Sequence, residues 1–426
     1  MLGRFRSLSR APVAKILFGS VLGQGAVLAA SPVLTRLYSP DHFSAFASLT
    51  AIAAILGGLA TLSWERATVV PRQEETARTL LTLGLLSALV VSSILALISF
   101  AARDWLADVT GVPLFAVYWW LVPVTVCFIA VFGIMSSWLV RGQDYTGLAV
   151  RNGVQGISQA LSGVILGVVG VVPLGLLLST AVGRAAALLG VSRRLRRDGG
   201  ERVTLRQIGS TAATYRRFPL VNTWSRLANA LGVHLPIVLI VSFYGSIEVG
   251  LFALTVRVLA APVGMIIDAT AQWFEGAFAM QFREGSGKLR PFITKSAWRL
   301  LAVGLGPSLL LAVTGPAVFD LVFGSTWREA GVFAQIVVAS YLAQFCVAPV
   351  SRALVILGWQ VTQLVWDVTR ALATLGTIVA AATLELSLTG CLVALTCAQV
   401  ASYLVLFLLC VNAAGRADQP SQVVSS

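Results

Sequence analysis

Twelve long apolar stretches dominate this sequence and decide what it can fold into. Each is about 20 residues long, which is the length an α-helix needs to cross the hydrocarbon core of a membrane. Backbone polar groups in lipid must bond internally, so repeated stretches of this length predict spanning helices. The stretches are 14–34, 43–63, 80–101, 116–139, 152–172, 175–192, 219–241, 249–271, 300–322, 333–355, 361–382 and 387–411.

The composition agrees with a chain whose outer surface faces lipid. Of the 426 residues, 57% are hydrophobic and 12% are charged, and the mean hydropathy is +0.85. A typical soluble domain is about 45–50% apolar and about 25% charged. These values exclude a disordered chain, a coiled coil and an ordinary cytosolic enzyme. They predict an all-α integral membrane protein with about 12 transmembrane helices.

The placement of basic residues predicts how these helices are oriented. The chain has 31 Lys and Arg against 18 Asp and Glu, a net charge of +13. With the N-terminus in the cytoplasm, 23 basic residues, including Arg151, fall in inside segments. Only Arg36, Arg103 and Arg328 fall in outside loops. Basic residues in short loops stay on the cytoplasmic side, so both termini are predicted to be cytoplasmic, and nucleic acid is not expected as a partner.

A basic segment in the middle of the chain predicts two halves. The proposed parts are an N-terminal six-helix half (1–192), a basic cytoplasmic linker (193–217), a C-terminal six-helix half (218–411) and a polar cytoplasmic tail (412–426). Residues 37–47 are similar to residues 243–253, and both lie at the corner between the first and second helix of a half. An even number of helices per half makes the repeats parallel, and we expect them to surround a central cavity.

Charged side chains inside the predicted helices form the candidate site. A charge at the bilayer centre costs about 2.5–3.5 kcal/mol, so each needs a partner or a wet cavity. All five basic residues within the spans are arginines, whose guanidinium binds phosphate or carboxylate through two parallel hydrogen bonds and stays charged. The cavity candidates are Arg184, Arg226, Arg257, Arg352 and Arg370, with Glu65 and Arg66 at the inner end of the second helix.

Some of these charges also have a purely structural interpretation. Arg184 lies about two turns from the basic linker and could extend its charge to the inner interface. Asp367 and Arg370 are three residues apart on one helical face and could neutralise each other. Glu65 and Arg66 could form an ordinary pair at the membrane interface.

Other charges have no such local explanation. Arg226, Arg257 and Arg352 have no acidic residue three or four positions away, which makes them stronger candidates for lining a cavity. Asp268 and Asp367 could carry protons or sodium ions in a coupled cycle, or compensate an arginine. The sequence has no nucleotide-binding or zinc-protease motif. We therefore predict no catalytic residue, no metal site and no cofactor beyond a coupling ion.

Four short stretches carry a resemblance to a known family. They are Leu34-Thr35-Arg36-Leu37-Tyr38-Ser39-Pro40 with Phe43 to Phe46, Trp64-Glu65-Arg66-Ala67, Arg141-Gly142-Gln143-Asp144-Tyr145, and Phe323-Gly324-Ser325-Thr326-Trp327-Arg328-Glu329-Ala330-Gly331. These stretches resemble the bacterial polysaccharide/oligosaccharide (O-antigen-type) flippases of the multidrug/oligosaccharidyl-lipid/polysaccharide exporter superfamily. The chain has Ser44 where members often have glycine.

The resemblance implies a function and a location. A member of this family would move an undecaprenyl-diphosphate-linked oligosaccharide across the bacterial cytoplasmic (inner) membrane by alternating access, for cell-surface polysaccharide assembly. The expected partners are that lipid-linked oligosaccharide, membrane lipids, a polysaccharide polymerase and glycosyltransferases. Two alternatives remain open. One is a cation-coupled, multidrug-type exporter of the same fold, and the other is a membrane-embedded glycan polymerase or ligase, against which the short outer loops argue.

Overall fold

A computed structural model describes residues 18–197, 203–283 and 288–418, and within these ranges all regular structure is helical. Residues up to 250 form α1 (Phe18–Leu37), α2 (Pro40–Ala60), α3 (Trp64–Ala67), α4 (Glu74–Ala101), α5 (Arg103–Thr110), α6 (Leu114–Val117), α7 (Leu121–Arg141), α8 (Tyr145–Val168), α9 (Leu174–Arg197), α10 (Leu205–Thr214) and α11 (Thr223–Tyr244). The remaining helices are α12 (Ser246–Arg283), α13 (Leu289–Phe323), α14 (Arg328–Val347), α15 (Arg352–Ile356), α16 (Gln360–Thr383) and α17 (Leu388–Asp418).

Ten helices in the described part of the chain are long and apolar enough to cross a membrane. The predicted spans 152–172 and 219–241 correspond to the two other long helices, α8 and α11. α8 contains polar residues such as Asn152 and Gln155, which lower its hydropathy, whereas the stretch Ala230–Tyr244 of α11 is apolar. The predicted class, an all-α integral membrane protein of about 12 helices, is confirmed. α8 is therefore a long helix that brings several polar side chains into the bundle.

The helices group into two compact units, Met1–Gly250 and Leu251–Ser426. In the first unit α8 packs along α9, α2 packs against α7 and α11, and α4 packs against α7. In the second unit α13 packs along α14, and both contact α17, which also packs on α16. The division of the sequence at 193–217 stays a prediction. Residues 203–217 of that linker include α10, whereas 198–202 lie outside the described residues.

Two corners of the chain meet in the first unit. The Ser246 hydroxyl, at the start of α12, donates a hydrogen bond to the Asp41 carboxylate at the start of α2. Gly250 lies so close to Pro40 that a Cβ added there would overlap the Pro40 carbonyl oxygen. These corners belong to the two sequence segments that resemble each other, so the related segments are also in contact.

The start of α8 differs from the sequence prediction. The Asp144 side chain accepts a hydrogen bond from the backbone N–H of Gly147 at 2.7 Å, which caps the helix and makes it begin at Tyr145. An N-cap of this kind satisfies a backbone donor that the first turn leaves unpaired. Arg151, placed by sequence in the inner loop, therefore lies in the second turn of a membrane helix and is buried.

Small residues let α1 approach α8 closely. A Cβ added to Gly156 would collide with the backbone of Gly23, and one added to Gly19 would collide with the backbone of Ala149. Small residues at a helix contact allow such an approach inside a membrane, where packing rather than water exclusion drives association. This contact fixes the position of α8 and its polar side chains.

The last helix is longer than the sequence predicts, because α17 continues to Asp418. The Asp418 carboxylate accepts hydrogen bonds from the backbone N–H groups of Leu289 and Arg290, at 2.9 and 2.8 Å. These are unpaired donors of the first turn of α13, so the end of α17 caps the start of α13. Residues 419–426 of the predicted tail lie outside the described residues.

Candidate functional site

Glu65 and Arg226 form an ion pair within the first unit. Leu62 and Ser63 both have positive φ, 48° and 57°, and this reversal after α2 turns Glu65 toward α11. Glu65 is 6% exposed. Arg226 also lies 3.4 Å from the Thr61 hydroxyl. Arg226 therefore has an acidic partner, which is far from it in sequence.

The same pair answers whether Glu65 pairs with its sequence neighbour Arg66. Arg66 follows Glu65 directly but its side chain is exposed, and Glu65 is paired with Arg226 instead. A second contact ties the same elements together, because the Thr223 hydroxyl donates to the Ser63 hydroxyl at 3.2 Å. The structure thus brings two predicted site residues, Glu65 and Arg226, into direct contact and leaves Arg66 apart from them.

Two arginines of the first unit share one aromatic ring. The guanidinium carbon of Arg151 lies 4.0 Å from the ring centroid of Phe132, and that of Arg184 lies 5.8 Å from the same centroid. Phe132 is in α7, Arg151 in α8 and Arg184 in α9. Among the ion pairs of the described residues, none includes Arg151 or Arg184. Three helices thus bring two positive charges together beside a neutral ring.

The hydrogen-bond partners of these arginines are neutral. Arg151 donates to the Ser136 hydroxyl and to the Asn152 amide oxygen, the latter at 2.7 Å. Arg184 donates to the backbone carbonyl of Thr180 at 3.3 Å. Gln159 donates to the Thr180 hydroxyl at 3.2 Å. The surroundings hold the guanidinium groups by dipoles and leave their charge uncompensated.

In the second unit, Arg370 lies against aromatic rings. Its guanidinium carbon is 5.2 Å from the Trp366 ring centroid, and Trp366 in turn packs on Tyr403 with centroids 5.6 Å apart. The Trp366 indole N–H donates to the carbonyl of Ser402 at 2.8 Å, which fixes the ring on α17. A cation over an aromatic face is stabilised by about 0.5–2 kcal/mol.

Asp367 does not pair with Arg370 among the ion pairs of the described residues. Instead the exposed Asp367 carboxylate accepts a 3.4 Å hydrogen bond from Gln363. Helical side chains lean toward the preceding turn, so Asp367 reaches Gln363 while Arg370 reaches Trp366. The two opposite charges therefore lie near each other on α16 but contact different residues.

The remaining predicted site residues lie apart in the second unit. Arg257 is half-buried in α12, and the exposed Asp268 lies farther along the same helix, beyond Pro262. Arg352 is exposed at the first position of α15. The structure does not bring these residues into contact with Arg370 through any hydrogen bond or ion pair that it describes.

Sequence reasoning missed Arg151. The signal that could have found it is Asp144, an N-cap residue that predicts a helix starting at the next position. In the described part of the chain, no group of three His, Cys, Asp or Glu side chains is arranged to hold a metal ion. The chemistry available at the site is therefore that of fixed positive charges, aromatic rings and neutral hydrogen-bonding groups.

Comparison with solved structures identifies the fold. An inward-facing multidrug resistance MATE family transporter of the MOP superfamily is 14% identical, with a TM-score of 0.69, over 96% of this chain and 99% of that chain. The lipid II flippase MurJ, in an inward closed conformation, is 12% identical, with a TM-score of 0.72, over 93% of this chain and 87% of the other. A MOP superfamily transporter from Pyrococcus furiosus is 15% identical, with a TM-score of 0.58, over 96% of both chains.

The sequence comparisons identify the family. A search of the curated proteins finds no match. The family of polysaccharide biosynthesis proteins matches residues 33–332, well over half of the chain. The structural relatives are transporters and flippases rather than enzymes, and a multi-pass position in the bacterial inner membrane is consistent with that family. The resemblance found in the sequence is thereby confirmed, and this chain is a multi-pass membrane protein that belongs to the polysaccharide biosynthesis family and has the MOP transporter fold.

Proposed function

We propose that this protein is a flippase that moves an undecaprenyl-diphosphate-linked oligosaccharide across the bacterial cytoplasmic membrane by alternating access. The observation that carries the proposal is Arg370, a permanent charge within an apolar helix beside Trp366. Its guanidinium Nε is buried without a hydrogen-bond partner. A charged group buried in a membrane helix is energetically unfavourable, and an anionic cargo that binds beside it would stabilise it.

The chemistry of this cargo suits the described side chains. A guanidinium binds a diphosphate through parallel charge-assisted hydrogen bonds. Trp366 and Tyr403 are packed in the core behind Arg370, and a prenyl chain can stay in the lipid. The family concerns polysaccharide biosynthesis, and MurJ, which shares the fold, is named as a flippase for lipid II. A polysaccharide product for the cell surface follows from this proposal, as does work beside glycosyltransferases and a polymerase.

Other predicted residues take secondary parts in the proposal. Arg257 and Arg352 would guide the same anion along its path. Asp268 and Asp367 are both exposed acids and are the candidates for coupling transport to protons or sodium ions. Arg226 has a reduced part, because Glu65 already compensates its charge.

Reconstitution tests the proposal directly. Purified protein in liposomes should move a fluorescent undecaprenyl-diphosphate oligosaccharide between leaflets, measured by quenching from one side. R370Q should slow this movement at least about tenfold, the loss expected when one charge-assisted hydrogen bond is removed. R416Q is a matched control, since the exposed Arg416 lies over the Trp359 ring at the same 5.2 Å.

Three results would contradict the proposal. Equal rates for the wild-type protein and R370Q would remove the role of this arginine. Efflux of a small organic cation by the same liposomes, without movement of the glycan lipid, would favour the multidrug-type exporter. In cells, accumulation of unpolymerised repeats on the outer face of a deletion strain would favour a polymerase instead.

A further inference from the structure

Arg151 and Arg184 form a cluster of like charge that the proposed transport step through Arg370 does not use. Both guanidinium groups lie beside the Phe132 ring, and they are close enough to interact electrostatically. Arginine does not lose its proton in proteins, so the repulsion between the two cannot be relieved by titration. In the low dielectric of a membrane bundle such repulsion is much larger than in water.

The described neighbours do not neutralise this charge. Ser136, Asn152 and Thr180 contribute a hydroxyl, an amide and a backbone carbonyl to the two arginines. The Asn152 amide is itself held, because its Nδ2 donates to the Ser20 hydroxyl at 2.9 Å. The arginines are thus pre-oriented by dipoles from α7, α8 and α9, while two positive charges remain for an anion to balance.

The cluster lies within about 10 Å of the helix ends nearest the predicted cytoplasmic side. Arg151 is six residues from the start of α8, about 9 Å along the helix, and Arg184 is seven residues before Val191, about 10 Å from the end of that apolar span. Both helix ends face the side that the basic loops predict to be cytoplasmic. A phosphate at the inner interface is therefore within reach of the long arginine side chains.

We infer that Arg151 and Arg184 form a phosphoryl-anion site at the cytoplasmic side of the first unit, where a diphosphate on an isoprenoid chain is held before it crosses. Two guanidinium groups offer the parallel donors that phosphate oxygens accept. The identity of the isoprenoid cargo rests on the proposed function, whereas the phosphoryl chemistry rests on the two arginines. A phospholipid headgroup presents the same chemistry, so the experiment must separate the two sources.

Binding of geranylgeranyl diphosphate tests the inference. The full-length protein in phosphatidylcholine nanodiscs should bind this probe, and geranylgeraniol, which lacks the phosphates, should bind far less. R151Q and R184Q should each weaken binding at least about tenfold. R78Q is the matched control: Arg78 lies over the Trp138 ring at 5.7 Å in the same unit, but it is already paired with Glu74.

A second arm identifies the source of the phosphate. If the probe stays bound in nanodiscs rich in phosphatidylglycerol, the site selects the isoprenoid diphosphate. If phosphatidylglycerol displaces the probe in the wild type and loses this ability in R184Q, the site takes lipid headgroups. Either result supports a phosphoryl site. Absence of probe binding by the wild type, or unchanged binding by both variants, would overturn it.

The binding test depends on variants that still fold, and the two arginines differ in this respect. Arg151 is 8% exposed and hydrogen-bonded, so R151Q could lose stability, whereas R184Q removes only one described backbone hydrogen bond. R151K and R184K preserve the charge without the planar fork and should bind the probe more weakly than wild type but better than the glutamine variants. The inference fails alone if the wild type transports glycan lipid and R184Q binds the probe normally. The proposed function fails alone if the probe binds as expected and no glycan lipid moves.

Discussion

The carboxylate of Glu65 is ion-paired with the guanidinium of Arg226, although the two residues lie far apart in the sequence. The pair joins the reversal after α2 to the first turn of α11, and the hydroxyls of Ser63 and Thr223 bond beside it. Arg226, which the sequence assigns to a cavity, thus forms an ion pair that links two helices of the first unit.

Substitution of Glu65 should destabilise the protein. E65A leaves Arg226 charged and without its acid, and breaking a buried pair costs about 3–5 kcal/mol, less here because Arg226 is partly exposed. We expect a loss of about 1–3 kcal/mol, and a double variant E65A/R226A that loses less than the sum of the single variants. Thermal unfolding in detergent measures each value. Strict additivity would contradict a direct ion pair.

The contact between α1 and α8 should not tolerate a methyl group. G156A places a Cβ against the Gly23 backbone, so we expect a loss of about 1–3 kcal/mol from overpacking. The matched control is G133A, because a Cβ at Gly133 meets no atom within 4 Å. There alanine should leave stability unchanged or raise it by about 1 kcal/mol through its better helix propensity. The melting temperatures of the two variants in one detergent compare them, and similar losses for both would contradict this packing.

The guanidinium shape of Arg370 should matter as well as its charge. R370K keeps a cation but loses the planar fork that lies over Trp366, so it should transport a glycan lipid more slowly than wild type and faster than R370Q. W366F keeps a ring and removes the hydrogen bond to Ser402. It should lower the free energy of unfolding by about 1 kcal/mol and reduce the flipping rate only slightly. Flipping rates in liposomes and melting temperatures separate the two effects. Equal rates for R370K and R370Q would show that only the fork matters.

The end of α17 should stabilise the start of α13. D418A removes the acceptor of two backbone N–H groups, and loss of such a cap costs about 0.5–2 kcal/mol. A chain shortened after Asp418 should melt like the full-length protein, whereas one shortened after Ala417 should melt like D418A. Identical melting of both shortened chains would contradict the cap.

The sequence predicts the helices of this fold well because lipid imposes one length and one backbone solution on each span. It predicts α8 less well, since Arg151 looks like a loop residue when hydropathy alone decides the boundary. The side chain of Asp144, acting as an N-cap, sets that boundary instead. Local chemistry at a helix end thus outweighs average hydropathy.

The candidate site is harder to predict because its contacts are tertiary. Spacing along a helix suggests that Asp367 and Arg370 could pair. Each side chain instead leans toward the preceding turn, where Asp367 contacts Gln363 and Arg370 contacts Trp366. Spacing also suggests that Arg226 has no acidic partner. Its partner, Glu65, is distant in sequence and comes into contact only because the chain reverses after α2. The roles proposed for Arg257, Arg352 and Asp268 in transport stay predictions.

The polar character of α8 has a consequence for how the chain enters the membrane during synthesis. A segment that carries Arg151, Asn152, Gln155 and Gln159 gains too little from lipid contact to partition from the translocon by itself. The tight reversal at 169–173 places the more apolar α9 immediately beside it, and Gln159 bonds to Thr180 across the two helices. We therefore expect α8 and α9 to integrate together as a helical hairpin, so that newly made chains commit the fifth helix to the bilayer only once the sixth has emerged from the ribosome.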